Sequence, residues 1–255
     1  TPMIKLRIGS LFLLLWTLLP GRADAGGELE VRWWSPDLSS TVTAEGVAFE
    51  PALVLPTSLD LGLEAEEEIE GRLLLRSSWG LFLRAAYQNV SSGGSTDLNI
   101  GVVDLPFSVN ALISTDLDFE YGRLALGWMF GPENGPLQVG VFAEAKGVRG
   151  DATITASALG LSAGISEDFE AGVPAAGAML RAQVAPRVEI FAEASVNVES
   201  DEADVTDYEL GARFLLSDNF AVGAGYRSLE IEGTFDSIDV DYSLEGVFVT
   251  ASIRW

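Results

Sequence analysis

Val247-Phe248-Val249-Thr250-Ala251-Ser252-Ile253-Arg254-Trp255 alternates without a break. Val247, Val249, Ala251, Ile253 and Trp255 share one face, and all are apolar. Phe248, Thr250, Ser252 and Arg254 share the other. Successive side chains of a strand point to opposite faces, so this is a strand with one greasy face and one mixed face. A half-buried strand of a soluble sandwich carries the same pattern. The rest of the chain separates the two readings.

Strand-like segments recur upstream, mostly in pairs joined by tight turns. Residues 68–77 and 81–90 meet at Ser78-Trp79-Gly80, and 115–130 and 137–148 meet at 131–136. Residues 173–184 and 188–199 meet at Ala185-Pro186-Arg187, and 206–216 and 220–231 meet at Ser217-Asp218-Asn219. Pro, Gly, Asn and Asp are the residues tight turns favour. With 28–35 before these pairs and 239–255 after them, the count is about ten strands, with eight as the alternative. The connections between pairs (36–67, 91–114, 149–172, 200–205 and 232–238) are mostly longer. Short turns at one end and long loops at the other predict a closed antiparallel up-and-down transmembrane β-barrel, all-β in class.

Parity supports a membrane wall. Val188, Ile190, Ala192, Ala194, Val196 and Val198 make one uncharged face, and Tyr208, Leu210, Ala212, Phe214 and Leu216 make another. Charge falls on the opposite parity. The predicted lumen cluster is Glu30, Arg32, Arg72, Arg84, Glu144, Lys146, Arg181, Glu189, Glu193, Glu209, Arg213 and Arg227, with Arg76, Glu70 and Arg254 in phase. Arg123 is the exception, and a bulge near Gly122 is expected where the fourth strand changes parity. Aromatics sort by height into two girdles that anchor a membrane barrel. Trp79, Trp128, Phe130, Phe214, Phe220 and Trp255 lie at the turn end; Trp33, Tyr87, Phe119, Tyr121, Tyr208 and Tyr242 lie towards the loop end.

Residues 1–25 read as a secretory leader cleaved after Ala25. Lys5 and Arg7 open it, an apolar stretch from Ile8 to Leu19 follows, and Ala23-Asp24-Ala25 fits the small-x-small cleavage pattern. Residues 26–255 form the barrel domain. Fifteen Lys and Arg against 38 Asp and Glu give a net charge of −23, which disfavours nucleic acid as a partner.

The amphipathic hairpins, the leader and the terminal Ile253-Arg254-Trp255 together resemble the small bacterial outer-membrane β-barrel proteins, the OmpA-type and OmpW-type barrels among them. The resemblance covers residues 26–255 as pattern and departs from those types in strand number. It implies a Gram-negative outer membrane with both termini periplasmic, and contacts with outer-membrane lipid and lipopolysaccharide. It implies recognition of Trp255 by the barrel-assembly machinery as the assembly signal, with a monomer as the default.

Catalytic chemistry finds little support. The chain has no His and no Cys, which removes the usual general base and the thiol nucleophile. Asp116-Leu117-Asp118 and Glu167-Asp168 are carboxylate pairs best read as solvated residues of a loop mouth. The acidic runs at 64–68, 199–202 and 236–241 lack calcium-loop spacing, and Ser91-Ser92-Gly93-Gly94-Ser95 reads as a loop tip. No catalytic residue, metal ligand or cofactor is assigned. Two apolar loop segments, 49–56 and 100–107, are expected to extend the wall, cap the lumen or meet a hydrophobic ligand. The expected function is a non-enzymatic outer-membrane barrel, structural or surface-exposed, with a salt-bridged narrow lumen. A porin-like pore or a conduit for small hydrophobic solutes is the alternative, and a lipid-acting enzyme a remote one.

Overall fold

The computed structural model describes residues 26–44, 48–49, 53–54, 58–60, 63–65, 67–101, 108–132, 135–158, 161–198, 203–235 and 238–255. The expected leader, residues 1–25, lies outside them, as do residues 50–52, 55–56 and 102–107 of the two apolar loop segments. The ten long strands are β1 (Gly26–Ala44), β6 (Glu68–Arg76), β7 (Leu81–Gly101), β8 (Ser108–Phe130), β9 (Leu137–Ala158), β10 (Leu161–Ala185), β11 (Val188–Asn197), β12 (Ala203–Leu215), β13 (Phe220–Phe235) and β14 (Ile238–Arg254). Four short pieces lie between β1 and β6: β2 (Ala48–Phe49), β3 (Leu53–Val54), β4 (Ser58–Asp60) and β5 (Leu63–Ala65).

Each long strand pairs antiparallel with its neighbours, and β14 returns to β1 to close a ten-stranded barrel. That seam runs in continuous register from Glu28↔Arg254 to Ala44↔Ile238. Gly27 and Trp255 exchange both backbone hydrogen bonds (2.9 and 3.0 Å) at its foot. Closure leaves no free edge in the lipid-facing part of the wall, the condition for backbone groups to survive in hydrocarbon. β4 pairs with β1, and β5 pairs with β7, above the end of short β6.

Tight turns join β6 to β7, β8 to β9, β10 to β11 and β12 to β13 at one end. Gly80 closes the first with φ of 103°, a left-handed conformation that costs glycine little. A Cβ there would also meet the Met129 carbonyl at 2.6 Å.

Two expectations are corrected. Residues 91–114 and 149–172 are not simply loops. β7 and β8 stay paired out to Gly101↔Ser108, and β9 and β10 out to Ala158↔Leu161. Gly93 and Gly94, read as a tip, pair inside β7 with Asp116 and Thr115. Two long neighbours supply enough ladder hydrogen bonds to hold glycines and serines that alone favour turns. The expected bulge at Gly122 is absent, since β8 keeps its register with both neighbours through Gly122 and Arg123. The register shift sits instead between Gln183 and Ala185, beside the β10–β11 turn.

Candidate functional site: the lumen

The barrel wall has an apolar exterior. Val31, Leu126, Val141, Leu210, Val222 and Val249 point outward and are exposed. Trp79, Tyr87, Trp128, Phe130, Tyr208, Phe214, Phe220 and Trp255 are exposed with them. Tyr121, Tyr242 and Phe119 were expected in the outer girdle and are not there. All three are buried inside, and Phe119 packs edge-on against Tyr242 at 5.7 Å. Phe119 and Tyr121 are inward because β8 keeps one parity throughout, and all three are accommodated because the interior at the loop end is itself apolar. Trp34, Val90, Phe119, Tyr121, Val173, Val205, Leu229, Tyr242 and Leu244 belong to one cluster there.

Below that cluster the lumen is filled with ions. Among the described residues nine cationic groups (Arg32, Arg72, Arg84, Arg123, Lys146, Arg181, Arg213, Arg227, Arg254) face nine carboxylates (Glu28, Glu30, Glu68, Glu70, Glu144, Glu189, Glu193, Asp207, Glu209). Near the turns, Arg213 and Arg181 hold Glu28 at 2.9 and 2.8 Å, Arg213 also pairs with Glu30, and Arg254 binds Glu189 at 2.9 Å.

In the middle, Glu209 reaches across from β12 and takes both forks of Arg72 at 2.7 Å and Arg32 at 2.5 Å. Arg84 bridges Glu144 at 3.1 Å and Glu193. Arg123 and Arg227 share Asp207 at 2.9 and 2.8 Å. Glu70 is the hub, lying 2.7 Å from Arg123, 2.9 Å from Arg72, 3.2 Å from Arg227 and 3.9 Å from Arg32. Lys146 is buried and donates to the Val205 carbonyl at 3.3 Å.

Arginine suits this crowding. Its planar fork grips carboxylates edge-on while its face stacks on rings. Arg227 stacks on Trp34 at 4.7 Å, Arg32 on Phe248 at 3.8 Å, Arg213 on Phe191 at 4.5 Å and Arg84 on Phe142 at 4.6 Å. Phe191 fits because Gly211 faces it; a Cβ at Gly211 would lie 2.6 Å from the ring. On the turn side, Phe82, Met129, Phe142 and Met179 form a second apolar cluster inside the wall. A cavity of about 30 Å³, large enough to admit water, lies among Glu28, Arg72, Arg84, Phe191, Glu209 and Arg213.

The structure places the twelve residues of the expected lumen cluster, with Glu70 and Arg254 in phase, on the inner face, and brings Glu28, Glu68, Asp207 and Arg123 to them. Asp207 was legible as the residue two before Glu209. Trp34 and Gln88, both buried against Arg227, carried no sequence signal beyond strand parity. The carboxylate pair Asp116 and Asp118 lies on the outer wall of β8, exposed, and Asp168 is exposed on β10.

Among solved structures the chain is similar to outer membrane protease OmpT from Escherichia coli, with a TM-score of 0.57 at 10% identity over 92% of this chain and 97% of that one. Its fold is that of the outer-membrane β-barrels. The barrel also matches the translocator domain of autotransporter NalP from Neisseria meningitidis (TM-score 0.47, 12% identity, 94% of each chain). A FadL homologue of Pseudomonas aeruginosa gives a TM-score of 0.41 at 10% identity, over 91% of the barrel chain and 90% of the homologue. No family model matches the sequence, and no curated protein matches it.

Proposed function

We infer that this chain is a non-enzymatic protein of the bacterial outer membrane, structural or surface-exposed, with a lumen held shut by ion pairs. The observation that carries the reading is the layer of buried Arg–carboxylate contacts from Glu28 to Asp207, spanning the interior from wall to wall. Opening a water path through it would separate partners that are 0–9% exposed in the middle of the network. Removing one partner from such a pair costs ~3–5 kcal/mol, so spontaneous opening is rare. The protein reconstituted in planar lipid bilayers is therefore expected to give no discrete conductance steps; regular steps from the folded barrel would overturn the closed lumen. On the same reading, overproduction in a Gram-negative host leaves the lipid A profile unchanged, whereas a new lipid A species would mark an enzyme.

The remaining parts of the reading follow the topology. Turns and both termini face the periplasm, the loop end faces out into lipopolysaccharide, and Trp255 at the foot of the seam is presented to the assembly machinery. The barrel acts as a monomer.

One observation favours a second reading, a conduit for small hydrophobic solutes. Among the described residues the wall is low at β11, which ends at Asn197 while β10 continues up to Leu161. Val173 and Val205, on the strands flanking that dip, belong to the apolar interior cluster. Faster uptake of an apolar dye into vesicles containing the barrel, without ion conductance, would select this reading over the first.

A further inference from the structure

The same dip leaves a strand edge with no partner among the described residues. β10 pairs with β9 along Leu161–Ala182, yet its pairing with β11 begins only at Ala175↔Asn197. The last contact is the Val198 amide donating to the Pro174 carbonyl at 3.0 Å. Among the described residues nothing pairs with the β11-facing side of 161–173, a stretch of thirteen residues.

The geometry identifies the groups on that edge. In an antiparallel strand each residue aims its N–H and C=O to the same side, and the side alternates. Pro174 aims its carbonyl at β11. Ser162, Gly164, Ser166, Asp168, Glu170 and Gly172 therefore present their backbone groups to the open side. No proline or lysine interrupts 161–173, although these are common guards of exposed edges.

Charge selects the occupant. Asp168 and Glu170 are exposed on this strand, and the adjoining rows carry Asp151 and Asp118 in register with Asp168. Arg149, opposite Glu170 and Glu120, is the basic residue among them. A second copy pairing edge to edge would bring Asp168 and Glu170 towards the same acids, and like charges facing across strands are destabilising.

We propose that the β10 edge at 161–173 is a docking site for an extended cationic polypeptide segment, which adds to the sheet as an eleventh strand beside the acidic wall. Main-chain hydrogen bonds supply binding, and the acidic rows supply sign selectivity.

The test uses the full-length barrel in lipid nanodiscs and a fluorescent twelve-residue peptide alternating Lys with Thr. Two control peptides match it. One has Pro at alternate positions, keeping charge but unable to pair; the other has Glu in place of Lys. Anisotropy is expected to show binding of the Lys–Thr peptide alone, weakening as salt is raised. Ser166→Pro with Asp168→Pro removes two edge donors while sparing the β9 ladder, and is expected to weaken binding at least tenfold. Asp168→Asn with Glu170→Gln is expected to weaken binding and flatten its salt dependence. Heat-modifiable gel mobility checks that each variant is folded. Equal binding of the Pro-containing peptide, or no effect of the proline variant, would reduce the site to diffuse electrostatics and overturn the proposal. Absence of binding by the Lys–Thr peptide would do the same, as would a stable dimer lost with the proline variant.

Discussion

Glu70→Ala is expected to destabilise the folded barrel by ~3–5 kcal/mol, the cost of stripping a buried network of one partner. Glu70 is 1% exposed and lies within 4 Å of Arg32, Arg72, Arg123 and Arg227. Without it, those four guanidiniums keep Glu30, Glu193, Glu209 and Asp207, but Glu209 already serves two of them, Asp207 serves the other two, Glu193 is shared with Arg84 and Glu30 with Arg213. The local balance becomes positive where solvent cannot screen it. Glu70→Gln keeps a hydrogen-bond acceptor and should lose less.

The measurement is urea unfolding of the refolded barrel in lipid vesicles, followed by tryptophan fluorescence and gel mobility. A companion substitution shows whether charge or shape is responsible. Arg123→Met in the Glu70→Ala background should recover part of the loss, because it removes a cation now short of a partner. A double-mutant cycle with no coupling would show that Glu70 acts only by filling space. Buried pairs often only break even with an apolar filling, so the loss on Glu70→Ala measures the cations left without a partner rather than the worth of the intact network.

Leu210→Arg is expected to cost ~2–4 kcal/mol, because it places a cation on the lipid face at mid-height. Leu210 is exposed on β12, five residues from the end of the strand at Leu215, with Ala192 and Tyr226 as its cross-strand neighbours. Phe214→Arg, on the same face but next to the turn, should cost ~0–1 kcal/mol, since Arg can reach the interface there. The contrast is the informative readout. Equal losses at the two positions would mean that no hydrocarbon gradient lies along this face. The same pair of variants, refolded into bilayers of different acyl length, should shift their difference accordingly.

Much of this architecture was readable from two-residue alternation. The strand count, the hairpin turns and the inward parity of Arg32, Arg72, Arg213 and Arg227 follow from one rule, that charge avoids lipid. The rule worked wherever one face was charged. It failed in β8, where Leu124, Leu126 and Trp128 face out but Leu117, Phe119 and Tyr121 face in. Equating apolar with outward forced a change of parity at Gly122 that the backbone does not make, and so put Arg123 out of phase. Arg123 instead lies inside, 2.7 Å from Glu70.

The same failure hid the interior apolar cluster. The turns mark one end of the wall, but nothing in the sequence marks where the lipid belt ends towards the loops, and hydrophobic residues above that belt have a different neighbour from those within it. Loop boundaries were misjudged for a related reason. Gly93 and Gly94 signal a turn locally, but ladder partners sixty residues away in β9 stabilise the strand β8 that pairs with them.

The even match between cations and carboxylates inside the wall has an effect on the molecule as a whole. With the interior neutral, the excess acidity is sorted onto one rim: Asp37, Glu67, Asp97, Asp116, Asp118, Glu120, Asp151, Asp168, Glu170, Asp204 and Glu232 are exposed towards the loop end, against Arg149. Each copy is thus polarised along the bilayer normal. Neighbouring copies lying side by side repel through their rims over about a Debye length, ~8 Å at physiological salt. Low ionic strength should therefore disperse these barrels in the membrane plane, and high ionic strength should let them crowd.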